Sequence, residues 1–139
     1  MTRDHIFLIL DDIDVNRVIL KGLLSQIYKQ SIIIEAASGT EAVQLHQDLL
    51  DSLYPIDAVF LDYHLPDIDG IIVAERLRAN GYGGPMLMVT AVTNGDLKRL
   101  QECGLFCKVL RKPLSSRIIR QAVTDALTCH DNHQGDCPK

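Results

Sequence analysis

The segment Ala58-Val59-Phe60-Leu61-Asp62-Tyr63-His64-Leu65-Pro66-Asp67-Ile68-Asp69-Gly70 decides how the rest of the chain is read. Its first four residues form an apolar run without polar alternation, as in a parallel strand buried on both faces. The run stops on the carboxylate of Asp62. A loop holding Pro66 and two further aspartates then leads to Gly70, where a helical pattern begins and runs to Asn80-Gly81. Asp67 and Asp69 follow the strand and precede the helix, so capping or solvation is their natural role, while Asp57 opens the strand at its far end, remote from Asp62.

The same strand-then-helix unit recurs along the chain. Apolar runs bounded by polar or turn residues occur at 6–10, 32–34, 58–61, 86–89 and 106–110. The first four are nearly continuous, which predicts burial on both faces; the fifth carries Lys108 in its middle, which suits a guarded edge strand. Between the runs, Val15, Val18, Ile19, Gly22 and Leu23 share one helical face, and further helices are expected over about 39–52 with Ser38 or Thr40 as cap, 70–80, 94–103 with Asn94 or Asp96 near its start, and from Ser115 through the stripe Leu114, Ile118, Ile119, Ala122, Val123, Ala126, Leu127. Five β-α units in series predict a parallel sheet with right-handed crossovers and helices on both faces.

With 139 residues, 47% hydrophobic and 23% charged, the chain has material for one folded domain. A net charge of -4 argues against direct nucleic-acid binding, and no apolar run approaches the roughly 20 residues of a spanning helix. No signal peptide precedes the first run, so a cytoplasmic location is expected. The four cysteines, Cys103, Cys107, Cys129 and Cys137, contain no CxxC pair and read as reduced thiols. Residues 129–139 turn polar and read as a disordered tail. Cys129, His130, His133 and Cys137 within it match no defensible zinc spacing.

In an open parallel sheet, ligands bind beyond the carboxyl ends of the strands. The first strand exits into Asp11-Asp12, the third ends on Asp62, the fourth on Thr90, and the fifth leads into Lys112-Pro113. Three carboxylates on one rim would raise one another's pKa unless a cation sits among them. Hard oxygen donors with no strand-end Cys or His favour Mg²⁺, which binds through few carboxylates plus a phosphate. Lys112 can neutralise a phosphate oxygen and the Thr90 hydroxyl can hydrogen-bond another. The rim suits a phosphoryl group.

Asp11-Asp12, the 61–70 segment with Pro four and Gly eight residues after Asp62, Val89-Thr90-Ala91 and Lys112-Pro113 together resemble the receiver domain of two-component response regulators, over residues 4–128. The Asp11-Asp12-x-x-x-Asn16-Arg17 run also resembles receivers of the hybrid-sensor-kinase type. The resemblance implies a flavodoxin-like doubly wound (βα)5 fold, strand order 2-1-3-4-5, and a signalling phosphoacceptor rather than an enzyme. It implies that Asp62 takes the phosphoryl group of a kinase or phosphotransfer-protein phosphohistidine. Asp12 and Asp62 would bind Mg²⁺ directly, Asp11 mainly through water, and His64 through its backbone carbonyl. Thr90 and Lys112 would hold phosphate oxygens, Ala91 would leave space, and the Lys112-Pro113 bond would be cis. The implied partners are a histidine kinase or phosphotransfer protein and a downstream effector or detached output domain; homodimers are common in similar domains. One departure stands out: the aromatic residue such domains carry three positions before the lysine is here Val109, and Phe106 lies three residues too early to replace it.

Two competing readings use the same residues. A phosphorylation-independent interaction module of the same fold is disfavoured because no residue of the site has been replaced. A metal-dependent phosphatase would want a second carboxylate two residues after Asp62, where His64 stands.

Overall fold

The structure, a computed structural model, describes residues 5–50, 55–91 and 94–133, without the side chains of 94–96 and 129–133. Strands β1 (Ile6–Leu10), β2 (Ile32–Ala36), β3 (Ala58–Asp62), β4 (Met86–Thr90) and β5 (Lys108–Arg111) alternate with helices α1 (Asp14–Ile27), α2 (Gly39–Leu49), α3 (Gly70–Ala79), α4 (Asn94–Glu102) and α5 (Ser116–His133). The strands form one parallel sheet in the order β2-β1-β3-β4-β5, as expected. The order reverses between β1 and β3, which opens a crevice at their carboxyl ends. No helix among the described residues is long and apolar enough to cross a membrane.

Side chains alternate across each strand, and here both sets are apolar because both faces are covered. Leu8, Leu10, Val59, Leu61, Met86 and Met88 pack with Ala42, Val73, Ala74, Leu77 and Leu100 of α2, α3 and α4. Phe7, Ile9, Phe60, Leu87 and Val89 point the other way, against Leu20 and Leu24 of α1 and Ile119, Ala122, Val123 and Ala126 of α5. This two-sided packing fixes the register, since a slip of one residue would exchange the two faces.

Several expectations change. β2 is not buried on both faces: it is a sheet edge, and Ile32 remains 46% exposed. Of the face predicted for α1, only Leu23 packs against the core. Leu20 and Leu24 are buried, whereas Val15, Val18 and Ile19 are all more than half exposed. A helix with apolar residues on more than one side gives periodicity no means of choosing between them. Lys108 opens β5 rather than lying at its middle, and its ammonium meets Asp125 at 3.4 Å.

Cys107 is disulfide-bonded, correcting the reading of all four cysteines as reduced, because sequence spacing does not show which thiols a fold brings together. Cys103 is a free, exposed thiol. Helix α5 continues to His133, so the first part of the stretch read as tail is helical; residues 134–139 and the side chains of Cys129, His130, His133, Asn94 and Asp96 lie outside what the structure describes.

His46 of α2 is buried at 4% exposure with its ring edge-on to Tyr82, centroids 5.7 Å apart, and its Nδ1 has no hydrogen-bond partner. Burial pushes its pKa below the usual value. Because the unfolded chain takes up the proton first, the stability tied to neutral His46 is full above about pH 6.5 and is lost as pH falls below it. Denaturant midpoints of wild type and His46→Leu should therefore diverge between pH 8 and pH 5, with wild type losing more; parallel losses would exclude His46 as the cause.

Candidate functional site

The register brings the site together. Leu10 of β1 pairs with Leu61 of β3, so the next residues, Asp11 and Asp62, come level across the crevice. Asp62 pairs with Val89, placing Thr90 one step beyond it on β4, and Thr90 pairs with Arg111, placing Lys112 one step beyond β5. Carboxylate oxygens of Asp11, Asp12 and Asp62 all lie within 4.8 Å of one another, and Asp11 and Asp62 are buried while Asp12 is exposed. Lys112 Nζ donates to Asp11 Oδ2 at 3.1 Å and lies 3.7 Å from Asp62 Oδ2.

Each group is held by backbone chemistry. The Asp11 N–H donates to the Ala36 carbonyl at 3.2 Å, and its Oδ1 accepts the Ile13 N–H at 3.0 Å, an Asx turn that starts the chain into α1. Asn16 Nδ2 reaches the same oxygen at 3.5 Å. Arg17, pointing back from the first turns of α1, donates to the Asp11 carbonyl oxygen, pairs with Asp14 and reaches Glu35 Oε1 at 3.3 Å. The residue motif contained Asn16 and Arg17, but only the helix geometry shows that they fold back on Asp11.

The backbone N–H groups of Tyr63 and His64 favour the ionised form of the Asp62 carboxylate. Its pKa is raised, first by burial and then by Asp11, with Lys112 and the two N–H groups opposing. His64 is exposed, with its ring against Tyr63. The Tyr63 hydroxyl accepts a hydrogen bond from Arg99 of α4 at 3.3 Å. Thr90 is fully buried at the end of β4, and its carbonyl accepts the Lys112 N–H at 2.9 Å. The Lys112-Pro113 bond is cis. Val109 is partly buried against the α2–α4 side of the core, as is Phe106.

Gly70 permits this density. A Cβ there would stand 2.6 Å from the Asp62 carbonyl oxygen and 2.9 Å from Met88 Cε. Asp57, in contrast, holds the opposite end of the sheet, accepting the Ile6 N–H at 2.8 Å. Asp69 caps α3 through the Ile72 N–H at 3.0 Å, whereas Asp67 binds α2, a role the sequence order did not suggest.

A cavity of about 430 Å³ runs from Asp11, Asp62 and Lys112 down to Leu20, Phe60 and Leu114, with Arg17 on its wall. Three clustered carboxylates, two of them buried, against the Lys112 ammonium leave negative charge in excess, and their hard oxygens fit a divalent cation of the Mg²⁺ type. Replacing Gly70 by Ala should push the Asp62 main chain aside, lowering the thermal midpoint by several degrees and weakening Mg²⁺ binding measured by calorimetry. Unchanged values would show that the close approach is not required.

Comparison with known proteins agrees with this geometry. The family model described as the response regulator receiver domain matches residues 7–124. A stress response regulator protein 1 of Candida dubliniensis is 31% identical over 112 residues, covering 78% of this chain and 37% of that protein, so the chain spans well under half of that relative. A response regulator receiver domain protein from Clostridium thermocellum superposes with a TM-score of 0.77 at 22% identity, covering 91% of this chain and 97% of the other. The receiver domain of a Pseudomonas aeruginosa sensor histidine kinase, solved with a magnesium ion coordinated in its active-site cleft, gives a TM-score of 0.75 at 23% identity, covering 91% and 99%. Strand order, strand-exit residues and the family match over most of its length agree: this chain belongs to the response regulator receiver domain family.

Proposed function

We propose that this chain accepts a phosphoryl group on Asp62 from the phosphohistidine of a sensor histidine kinase or a histidine phosphotransfer protein, in a Mg²⁺-dependent reaction, and passes the signal to a partner protein or output domain. The observation that carries this reading is the Asp62 carboxylate, buried at a strand exit beside two further carboxylates with an ammonium 3.7 Å away.

A carboxylate oxygen of Asp62 attacks phosphorus; an O–P bond forms as the P–N bond to the donor histidine breaks, and the imidazole leaves with the electron pair. Such a transfer depends on positioning and charge stabilisation rather than on a general base. Asp11, Asp12, Asp62 and the His64 carbonyl would hold Mg²⁺, which when bound supplies positive charge for the phosphoryl oxygens. The Lys112 ammonium exchanges its pairing with Asp62 for a phosphoryl oxygen once the carboxylate has become an acyl phosphate, and the Thr90 hydroxyl binds another. Burial alone would keep Asp62 protonated to a higher pH than usual, and the Tyr63 and His64 N–H groups together with Lys112 favour the ionised nucleophile.

Exposed apolar Ile13, whose N–H is bonded to Asp11, and Ile19, on the cavity wall, lie beside this rim, where a phosphodonor protein must approach to reach Asp62; Val15 and Val18 are exposed on the same helix. Residues 4–128 act as the receiver unit, in a cytoplasmic setting, with the chain signalling rather than turning over a substrate. The name of the Candida relative suggests a stress response as the context.

Incubation with acetyl phosphate and Mg²⁺ should add one phosphoryl group to wild type and none to Asp62→Asn, read by intact mass. Lys112→Ala should slow labelling roughly a hundredfold by removing the cation from the transferring group. Equal labelling of wild type and Asp62→Asn would overturn the assignment.

A further inference from the structure

Helix α2 begins with an unusual division of labour. Ser38 Oγ accepts the Glu41 N–H at 3.2 Å and Glu41 Oε1 accepts the Ala37 N–H at 2.6 Å, a variant of the capping box in which the glutamate reaches one residue before the N-cap. That box leaves the N–H groups of Gly39 and Thr40 without partners. Both are taken by Asp67, from the loop that follows Asp62: Oδ1 accepts Gly39 N–H at 3.0 Å, and Oδ2 accepts Thr40 N–H at 2.9 Å together with the Thr40 hydroxyl. Beside this clasp the two segments touch so closely that a Cβ on Gly39 would stand 2.6 Å from both Ile68 Cγ1 and Val73 Cγ2.

The loop so clasped carries the phosphoacceptor's surroundings. Its base is closed by the Gly70 N–H donating to the Tyr63 carbonyl at 3.0 Å, so that residues 63–70 form a ring with one end on the site and the other on α2. At the site end, Tyr63 and His64 follow Asp62 directly, and Gly70 at the loop's base lies so close that a Cβ there would stand 2.6 Å from the Asp62 carbonyl oxygen. We propose that Asp67 is a positioning residue for phosphoryl transfer: by pinning the far corner of the loop to the N-terminus of α2, it holds the Tyr63 and His64 backbone in register with Asp62. This rests on the phosphoacceptor reading of Asp62.

The carboxylate suits this task. It meets the positive end of the α2 dipole, and these donors, the Thr40 hydroxyl foremost, hold its pKa well below the usual carboxylate range, so the clasp stays ionised at any working pH. Two of its partners are backbone N–H groups, which no mutation short of proline removes, so substitution can reach the clasp only at the carboxylate itself or at the Thr40 hydroxyl.

Ser38→Ala provides the control, because it uncaps the same helix without touching the loop. Asp67→Ala should weaken Mg²⁺ binding by calorimetry about tenfold, as loss of a supporting hydrogen-bond partner does at other metal sites. It should slow acetyl phosphate labelling at saturating Mg²⁺ and speed amide exchange at Tyr63 and His64. Ser38→Ala should lower the thermal midpoint comparably and leave all three readings at wild-type values. Thr40→Val, which deletes only the hydroxyl bond, should shift them in the same direction but less, and keeps the test open if Asp67→Ala folds poorly. Equal effects of Ser38→Ala and Asp67→Ala would reduce Asp67 to a helix cap and overturn the proposal, as would wild-type values in Asp67→Ala. If wild type itself takes no phosphoryl group, the phosphoacceptor reading fails on its own, and amide exchange at Tyr63 and His64 still decides whether Asp67 holds the loop.

Discussion

Two carboxylates buried side by side, with one lysine between them, are the constraint on which this molecule turns. Asp11 and Asp62 come level because β1 and β3 pair in register, and burial together with the Asp11 charge disfavours ionisation of Asp62. Lys112 arrives from the far side of the sheet, a hundred residues from Asp11 in sequence, to offset part of that repulsion at 3.1 Å. Asp12 adds a third carboxylate at the exposed rim, so the compensation is incomplete and the site is left ready for a further cation. The apolar packing on both sheet faces holds this arrangement in place: a strand slip that relieved the repulsion would exchange the two sets of core residues and lose the packing of both.

The loop from Asp62 to Gly70 shows how the constraint is met locally. Three features fix it, each by a different means. Gly70 lets the helix α3 start pass against the Asp62 main chain, Asp69 caps α3, and Asp67 caps α2. Two adjacent helices therefore begin on carboxylates supplied by one short loop. This couples the geometry around Asp62 to the α2–α3 side of the sheet, while the α1 and α5 helices on the other side carry the exposed apolar face and the wall of the cavity.

The absence of an aromatic residue at position 109 bears on how a change at the site reaches the surface. Val109 is already packed against the core, and it has no ring to move. The aromatic group that links the site to α4 is instead Tyr63, next to Asp62, whose hydroxyl is bound by Arg99. This bond is a direct contact between the loop that follows Asp62 and α4.

Most of the architecture was legible in the sequence because it depends on local patterns. Apolar runs of four or five residues and the residues at their ends specify strands and exits, and Asp11, Asp62, Thr90 and Lys112 were identified from those ends alone. The helix cap at Ser38 and the stop at Asn80-Gly81 were equally local. What local pattern could not decide was orientation and partnership. Val15, Val18 and Ile19 satisfy helical periodicity as well as Leu20 and Leu24 do, and only the position of the sheet shows which set is covered. Ile32 has the composition of a central strand, but strand order places it at an edge. The disulfide at Cys107, the return of Arg17 onto Asp11 and the reach of Asp67 to α2 each join residues through space. The sequence by itself determined which chemical groups stand at the strand ends, because strand and helix periods are properties of contiguous residues. The tertiary structure decided which of those groups meet, which apolar face stays open and what holds the loop, because register, crossover and burial arise only when distant segments pack together.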